Sequence, residues 1–371
     1  MKIYFDGVIY SWQKGGGVYN YIEEIISRSG KNKELEVNLL VSAPSHKITE
    51  KKGVSIKYIT YIGKIPDFIF KLVRKLMFPI NKVLSERYFK KVRDGVFHST
   101  YYTTYKNLKI PQVLTVHDMT YEKFPNFFNS PGAKRFMANK KKCILQADSI
   151  ICVSEATKKT LLDLYKIEER KISVIYHGVS ESFLHETMRY ENILLDKPYF
   201  LFVGNRSLYK NFIFLIEAFS KWNKNKEYNL LLIGGGKLSE EELTLINNLN
   251  LNKQVKHLGF VEEKYLKYIY KKSKAFIFPS LDEGFGLPII EALSSKTQVI
   301  ASDITVFKEI GENMLIYFDP YKIESLIDAL EKSISNTKTI QELEKNSEYV
   351  TNKFTWKKCF EKTIEIYKKH K

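Results

Sequence analysis

The chain has 371 residues, which is long for one ordinary domain and sufficient for two domains that each bury a core. Its 44% hydrophobic and 27% charged residues are the fractions of a soluble globular protein, and no window approaches the roughly 18 uncharged apolar residues of a membrane-spanning helix. Lysines and arginines number 59 against 42 aspartates and glutamates, a formal charge of +17. This excess suits phosphate-bearing ligands, nucleic acid or an anionic membrane surface, and does not decide among them.

The first residues, MKIYFDGVIYSW, form a strand-like run that contains an aspartate, which argues against a secretory signal. Cys143, Cys152 and Cys359 are scattered and lack metal-ligand spacing, so reduced thiols are expected rather than a metal site. We therefore expect a cytoplasmic protein. The basic excess leaves open a peripheral position on the cytoplasmic face of the inner membrane.

Short β-rich runs alternate with helical patterns along the chain. In the first half, strands are predicted near residues 2–6, 36–41, 54–59, 95–98, 112–117, 148–153 and 171–176. After a polar bridge around residues 186–197, strands are predicted at 198–204, 229–234, 255–259, 274–280, 297–302 and 314–319. This alternation indicates parallel sheets covered on both faces. The sequence thus predicts an α/β protein with two doubly wound domains facing each other across a cleft, and ligands beyond the carboxyl ends of the strands.

Two loops in the N-terminal half are candidates for ligand contact. Gly15, Gly16 and Gly17 precede the helical pattern VYNYIEEIISR. They do not form a P-loop, and a flexible turn is the plain alternative. The predicted strand QVLTV ends in His117 and Asp118, at a carboxyl end where ligands are expected. Asp118 is equally well explained as a turn-forming residue.

The segment from residue 66 to residue 91 mixes apolar side chains with cations, which are Lys71, Arg74, Lys75, Lys82, Arg87, Lys90 and Lys91. A basic amphipathic helix of this kind could lie on an anionic membrane. The alternative is a helix that packs its apolar side on the sheet and shows its charges to water. Pro79 is expected to break the helix.

The loop after the predicted strand PYFLFVG holds Arg206 and Lys210, just ahead of the helical run FIFLIEAFSK. An arginine fork and a lysine point charge suit a diphosphate at this position. Fixed cations also stabilise negative charge that develops on such a group during a reaction. The alternative is two solvated basic residues in a basic chain.

The stretch SLDEGFGLPIIEALS follows the predicted strand KAFIFPS. Gly284 and Gly286 permit backbone angles that other residues avoid, and Pro288 suits the first helical position. The amides at the start of this helix would form an anion site. Glu283 lies before the turn and Glu291 in the expected first helical turn, which suits a ligand with both phosphate and hydroxyl groups. A capping acid and a solvated glutamate are the alternative.

The stretch from Glu283 to Glu291 resembles the E-x7-E motif of retaining glycosyltransferases with the GT-B fold, the large family 4 group, and Arg206 with Lys210 is similar to the basic pair of that family. The resemblance implies that Glu283 contacts the donor sugar and Glu291 the ribose of the nucleotide. It implies that the basic pair does the work of a metal ion, so no metal or other cofactor is expected. The intervening backbone would contact the sugar and phosphates through Gly284, Phe285, Gly286 and Leu287.

The resemblance covers nearly the whole chain and is strongest from residue 198 to residue 300. It implies that Gly16 and Gly17 lie near the donor phosphates and that His117 is the active-site histidine that approaches the donor sugar. A further segment resembles the lining of the nucleotide-base pocket and comprises Gly259, Phe260 and Val261. The family organisation implies an acceptor-side domain at 1–190, a donor-binding domain at 198–354, and a C-terminal helix at 355–371 that packs back on the first domain.

The resulting expectation is a retaining, metal-independent hexosyltransferase. The segment VHDMTYEKFP resembles mannosyltransferase-like members, which favours GDP-mannose over a UDP-sugar as donor. The expected acceptor is a saccharide or polyprenyl-linked saccharide in surface polysaccharide or lipopolysaccharide biosynthesis, with an anionic membrane surface as an optional partner and no nucleic acid. The alternatives are a nucleotide-sugar epimerase or phosphorylase of the same fold, or a non-catalytic basic binder of membrane or nucleic acid.

Overall fold

The computed structural model describes residues 1–44, 46, 48–60, 67–191, 195–336 and 338–371, and the side chains of its long helix at residues 67–89 are described at 76, 77 and 79–89. The chain forms two compact units. The N-terminal unit comprises Met1–Tyr176 and Trp356–Lys371, and the C-terminal unit comprises His177–Thr355.

The N-terminal unit is built on a parallel sheet whose strands are β1 (Lys2–Phe5), β2 (Glu36–Ser42), β3 (Val54–Thr60), β4 (Val96–Ser99), β5 (Gln112–Val116), β6 (Ser149–Cys152) and β7 (Ile172–Val174). Its first six helices are α1 (Ile9–Trp12), α2 (Gly17–Lys31), α3 (Asp67–Phe89), α4 (Thr120–Lys123), α5 (Pro131–Gln146) and α6 (Glu155–Leu164). The strand order is β3-β2-β1-β4-β5-β6-β7. The order reverses between β1 and β4, which makes that pair the topological switch point of the sheet.

The C-terminal unit repeats this plan with the strands β8 (Tyr199–Val203), β9 (Asn229–Ile233), β10 (Val255–Gly259), β11 (Phe276–Phe278), β12 (Val299–Ser302) and β13 (Ile316–Phe318). Its helices are α7 (Phe212–Lys221), α8 (Glu240–Asn248), α9 (Glu263–Lys272), α10 (Leu287–Ser294), α11 (Thr305–Gly311), α12 (Ile323–Ser335) and α13 (Ile340–Lys353). The order β10-β9-β8-β11-β12-β13 places the switch point between β8 and β11.

All thirteen predicted strands are present, and each observed strand begins and ends within two residues of its predicted bounds. The central strands are buried along their length, as in β5, β6 and β9, because helices cover both faces of a parallel sheet. Such strands read as continuous apolar runs, which is the pattern that the sequence shows. The prediction of an α/β protein with two doubly wound, Rossmann-like domains is confirmed.

The division between the units falls earlier than the sequence suggests. Residues 177–190, which the sequence assigns to the first domain, belong to the C-terminal unit. The Val179 amide donates to the Phe354 carbonyl at 3.0 Å, and the Ser182 hydroxyl donates to Glu263 at 2.6 Å. Thr355 pairs with Val179 in a β-bridge, so the return to the N-terminal unit begins at Trp356.

The last helix, α14 (Trp356–Lys368), packs in the N-terminal unit against α2. Its apolar face supplies Trp356 and Tyr367 to the core, and the Tyr367 hydroxyl lies 2.6 Å from His98 Nδ1. The amphipathic pattern of this segment therefore reflects burial of one helix face.

Helix α3 runs through Pro79, so the expectation that this proline breaks the helix is wrong. Pro79 is exposed, and a proline inside a helix removes one intrahelical hydrogen bond, which can kink a helix without ending it. Residue 66 lies outside the described residues, as do the side chains of Lys71, Arg74 and Lys75. Among the described residues, none of the helices combines the length and apolar composition that crossing a bilayer requires.

Candidate functional site

The switch point of the C-terminal sheet brings Lys210 and Glu283 together. Lys210 lies in the loop after β8 and Glu283 in the turn after β11, and the two side chains form a salt bridge between Nζ and Oε1. The Ser280 hydroxyl donates to the same carboxylate oxygen at 2.8 Å. Each charged side chain is 14% exposed, so the pair is largely shielded but reachable from the carboxyl edge of the sheet. Ligands of doubly wound sheets bind at this place.

Aromatic rings and burial shape the electrostatics of this pair. The Lys210 ammonium lies 5.1 Å from the ring centroid of Tyr209 and 5.3 Å from that of Phe278, within the range of cation–π attraction. Burial raises the pKa of the Glu283 carboxyl, and the bonds from Lys210 and Ser280 oppose the shift. A carboxylate in this setting is a strong hydrogen-bond acceptor that gains from a further donor.

The turn after β11 leads into α10 through Gly286, whose φ of 95° favours glycine. A Cβ there would lie 3.2 Å from a ring carbon of Phe307. The helix begins at Leu287, so Pro288 occupies the second helical position and not the first. Gly284 is buried beside Phe285, whose 4% exposed ring packs on His177 at a centroid distance of 5.1 Å. The Phe285 side chain is therefore part of the core. A ligand at this position would be contacted by the Phe285 backbone.

Glu291 is the fifth residue of α10 and therefore lies in the second helical turn. The prediction that it lies in the first turn is wrong. The Tyr270 hydroxyl donates to Glu291 Oε2 at 3.2 Å. Burial raises the pKa of Glu291 to about 7, with a further upward contribution from Glu263 and an opposing one from the Tyr270 bond. Both glutamates of the motif are thus held in places that disfavour their charged forms.

Arg206 has a different environment from the one expected of a diphosphate-binding cation. Its side chain is 5% exposed and its Nε donates to Glu242 Oε1 at 2.7 Å. Its guanidinium also donates to backbone carbonyls in the turn after β9, at 3.0 Å for Gly234, 3.2 Å for Gly235, 3.3 Å for Gly236 and 2.8 Å for Lys237. Arg206 therefore clamps a glycine turn, and it is Lys210 that lies beside Glu283.

The end of β10 is joined to the same glycine turn. The Gly234 amide donates to the Gly259 carbonyl at 2.7 Å, and His257 Nε2 lies 3.2 Å from the Gly234 carbonyl oxygen. Gly259 has a φ of 69°. Phe260 is 87% exposed and Val261 is buried. Of the three predicted base-pocket residues, Phe260 therefore presents an exposed ring at the carboxyl edge, beside the turn that Arg206 holds.

His117 follows β5 at the carboxyl edge of the N-terminal sheet, as the sequence predicts from the strand QVLTV. Its amide donates to the Tyr102 hydroxyl at 3.2 Å, and its ring meets the Tyr21 ring edge-on at 5.2 Å. Burial lowers the pKa of His117 to about 3, with smaller contributions from His98 and Lys140. The imidazole is neutral at physiological pH and can exchange hydrogen bonds with uncharged hydroxyl groups.

Asp118 serves local structure in part, since its side chain accepts from the Thr120 amide at 3.2 Å. In the glycine loop, Gly16 has a φ of 105° and caps α2 with its backbone, and Gly17 is the first helical residue. No neighbour lies within 4 Å of a Cβ built at Gly15, so this loop is open at that position.

Asp6 is a buried acid that sequence reasoning did not single out. It follows β1 at the switch point of the N-terminal sheet and is 1% exposed. It accepts from the Thr100 hydroxyl at 2.6 Å, the Thr100 amide at 3.1 Å and the Thr103 hydroxyl. Burial raises its pKa to about 6. The signal was the lone acid at the end of an apolar run, and its partners Thr100 and Thr103 lie more than ninety residues away.

No cluster of three metal-ligating side chains occurs within the described ranges. Lys210, Glu283 and Ser280 meet in the C-terminal unit, with Arg206 and Phe260 on adjoining turns of the same edge. His117, Asp118 and Gly16 lie on the carboxyl edge of the N-terminal sheet. The two sets of predicted site residues thus occupy the edge of each sheet where ligand contacts are expected.

Comparison with known proteins gives two family matches that follow each other along the chain. The profile described as Glycosyltransferase Family 4 matches residues 15–183, and the profile described as Glycosyl transferases group 1 matches residues 185–350. The O-antigen chain mannosyltransferase RfbU of Salmonella typhimurium is 34% identical over 210 residues, which are 56% of this chain and 57% of that protein. O-antigen chain mannosyltransferase B of Escherichia coli is 22% identical over 370 residues, covering 95% of this chain and 96% of that protein.

Solved structures match over the whole length. Sucrose-phosphate synthase from Thermosynechococcus elongatus superposes with a TM-score of 0.76 at 17% identity, covering 99% of this chain and 98% of that one. HepE of Anabaena, in complex with UDP and glucose, gives a TM-score of 0.71 at 17% identity, covering 98% of both chains. At these identities the structural matches establish the shared fold.

Proposed function

We propose that this chain, which belongs to the family 4 glycosyltransferases with the GT-B fold, moves a hexose from a nucleoside-diphosphate sugar to a saccharide acceptor with retention of anomeric configuration. The observation that carries the proposal is the contact between Lys210 and Glu283 at the switch point of the C-terminal sheet. In the reaction the bond from the anomeric carbon to the phosphate oxygen breaks and a bond to the acceptor oxygen forms. The acceptor proton leaves with the nucleoside diphosphate or passes to solvent.

Each charged group has a proposed role in that reaction. Lys210 stabilises the negative charge that develops on the leaving diphosphate, and Glu283 accepts hydrogen bonds from hydroxyls of the transferred sugar. The backbone from Gly284 to Leu287 binds the phosphates or sugar at the start of α10. Glu291 binds the ribose. These interactions strengthen as charge separates, so they act on the rate rather than on substrate binding alone.

Arg206 is proposed to bind the diphosphate by exchanging its bond to Glu242 for one to a phosphate oxygen. A guanidinium already aligned by four carbonyls needs little reorganisation for that exchange. With two fixed cations at the diphosphate, we propose that transfer requires no metal ion and no other cofactor. His117 is proposed to hydrogen-bond the reacting sugar as a neutral imidazole, with Gly16 and Gly17 near the donor phosphates.

The donor is proposed to be GDP-mannose, because RfbU and mannosyltransferase B are both named as O-antigen chain mannosyltransferases. A UDP-sugar is the next candidate, because the matched HepE structure contains UDP and glucose. The ring of Phe260 offers a stacking surface for either base. The acceptor is proposed to be a saccharide, free or lipid-linked, in the assembly of a surface polysaccharide.

A thermal-shift comparison with UDP, GDP and dTDP tests the donor site. A ligand at about 100 times its dissociation constant stabilises the folded state by roughly 2.7 kcal/mol. We expect a clear response to one diphosphate, reduced in Arg206→Ala and Glu291→Ala. Glu283→Ala should keep nucleotide binding and lose transfer. Equal melting of wild type and both binding variants with every nucleotide would contradict the donor site.

Activity and binding assays on the same protein separate the alternative functions. An epimerase would convert the nucleotide sugar without acceptor, which this proposal excludes. A phosphorylase would require inorganic phosphate. A non-catalytic basic protein would bind nucleic acid in a salt-sensitive manner and show no response to the diphosphates.

Peripheral association with an anionic membrane is proposed as a second property, on the exposed surface of α3. Leu76, Ile80 and Val83 are 66%, 50% and 50% exposed at spacings that align them on one helix face. The later turns of α3 border a groove of about 670 Å³ whose charged lining consists of Lys2, Lys57, Arg87, Lys91, Arg93 and Asp94. An apolar stripe that continues into a basic groove suits a lipid surface with phosphate headgroups.

Flotation with vesicles of phosphatidylcholine, with and without phosphatidylglycerol, tests this association. Binding should depend on the anionic lipid and fall with Ile80→Glu and with the pair Arg87→Glu and Lys91→Glu. The exposed pair Lys253→Glu and Lys332→Glu on the C-terminal unit is the matched control. Binding that is indifferent to phosphatidylglycerol would contradict the proposal.

A further inference from the structure

Lys140 is a buried lysine in α5, on the carboxyl-edge side of the N-terminal sheet. Its side chain is 1% exposed, although lysines are almost never fully buried unless they are paired. The ammonium donates to Glu122 Oε2 at 2.9 Å and to the backbone carbonyl of Asp118 at 2.7 Å. The ring of Tyr102 lies 5.4 Å away. Such an arrangement is costly to assemble, because both ions lose their water.

These bonds converge on the backbone around His117. Asn139, the neighbour of Lys140 on α5, donates from Nδ2 to the Tyr102 carbonyl at 2.6 Å. The Tyr102 hydroxyl in turn accepts from the His117 amide at 3.2 Å. Tyr102 thus holds the His117 amide while Lys140 holds the Asp118 carbonyl. Lys140 therefore holds the segment that carries the imidazole directly, and Asn139 supports it indirectly through the Tyr102 backbone.

We propose that Lys140 is a positioning residue for sugar transfer, because it fixes the backbone that presents His117. The inference rests on the proposed function of His117. A lysine suits this place, since an ammonium on a flexible stem can donate to a carboxylate and to a carbonyl at the same time. An apolar side chain of similar length would fill the volume and leave the Asp118 carbonyl and the Glu122 carboxylate without that donor. A misplacement of about 1 Å at a reacting group costs about 100-fold in rate.

The test compares Lys140→Met with Lys142→Met, an exposed lysine on the same helix. For Lys140→Met we expect kcat to fall about 10- to 100-fold. The dissociation constant of the nucleoside diphosphate should stay within about twofold of wild type, because Lys140 is distant in the chain from Arg206, Lys210 and Glu291, the side chains proposed to bind the nucleotide. Hydrogen exchange at residues 117–119 should become faster. Lys142→Met should change none of these quantities.

A second variant covers the case in which the single substitution fails to fold. Lys140→Met combined with Glu122→Met removes the buried ion pair, a replacement that folded proteins commonly tolerate. The Asp118 carboxylate, 3.7 Å from the Lys140 ammonium in the wild type, is 40% exposed and keeps its contact with water. We expect the same loss of kcat in the double variant, because the bond to the Asp118 carbonyl is still missing. A lower melting temperature with unchanged kcat and unchanged exchange at residues 117–119 would overturn the inference. If His117→Ala itself transfers sugar normally, the proposed function of His117 fails, whereas normal transfer in the lysine variants alone refutes only the positioning role.

Discussion

The two sheets share one topology, yet their switch points hold opposite kinds of chemistry. In the N-terminal unit the place between β1 and β4 is filled by Asp6, whose carboxylate accepts from hydroxyls and amides of the chain itself. In the C-terminal unit the place between β8 and β11 holds the ion pair of Lys210 and Glu283. The first arrangement satisfies a buried acid within the fold. The second offers a cation and an acceptor that a ligand can engage.

The difference shows that a doubly wound sheet provides a location and leaves the chemistry to the residues there. Asp6 is 1% exposed, while the side chains of Lys210 and Glu283 are each 14% exposed. Substitutions at the two switch points should therefore have different consequences, for stability in one unit and for transfer in the other.

The largest effect is expected at the switch point of the C-terminal sheet. Lys210→Ala removes the cation proposed to stabilise the leaving diphosphate and leaves Glu283 without its ion-pair partner. We expect the single-turnover rate at saturating donor to fall about 10²–10³-fold. Lys221→Ala, at the exposed end of α7, is the control and should transfer at the wild-type rate. A rate loss of less than about fivefold in Lys210→Ala would show that this switch point, like that of the N-terminal unit, contributes to stability and not to transfer.

An intermediate effect is expected from Glu291, through pH. Burial raises its pKa from the ordinary 4.5 to about 7, so the folded protein holds the proton more tightly than the unfolded chain. This contribution to the free energy of unfolding is fully present below pH 4.5 and is lost as pH rises through about 7. At about 1.4 kcal/mol per pKa unit it amounts to roughly 3–4 kcal/mol.

Chemical denaturation of wild type and Glu291→Gln between acid and neutral pH measures that contribution. The difference in unfolding free energy should change across this interval, since the glutamine does not titrate. Glu348→Gln, exposed on α13, should run parallel to wild type at every pH. A constant difference between wild type and Glu291→Gln would show that Glu291 titrates normally.

The smallest effect is expected at the switch point of the N-terminal sheet. Asp6→Asn keeps the shape of the side chain but replaces one acceptor oxygen by an NH2 donor. Hydroxyl groups that face it can rotate to accept from this donor, so part of the hydrogen bonding is kept. We expect a loss of about 1–2 kcal/mol in stability and unchanged affinity for the nucleoside diphosphate. Calorimetry with and without nucleotide checks both. Weakened nucleotide binding in Asp6→Asn would show that the switch point of the N-terminal sheet also contributes to ligand binding, which contradicts the difference inferred between the two switch points.

Much of this fold was predictable because its signals are local. Apolar runs such as YFLFV and NLLLI predict buried parallel strands, and Gly286 followed by Pro288 predicts the turn into α10. The boundary between the two domains was predicted too late in the chain, because residues 177–190 are bonded to Phe354 and Glu263, which are distant in sequence. Pro79 was misjudged because a proline can either kink or end a helix, and the local sequence does not decide between the two outcomes.

The sequence by itself determined the elements, the doubly wound class and the loops in which the charged residues stand, since spacing and backbone preference act over a few residues. Only the tertiary structure decided the partner of each charge. Lys210 and Glu283 meet because β8 and β11 are neighbours, and Arg206 turns to Glu242 and a glycine turn because β9 lies on the other side of β8. Electrostatic pairing depends on distances of a few ångströms, and the order of strands in a sheet sets those distances.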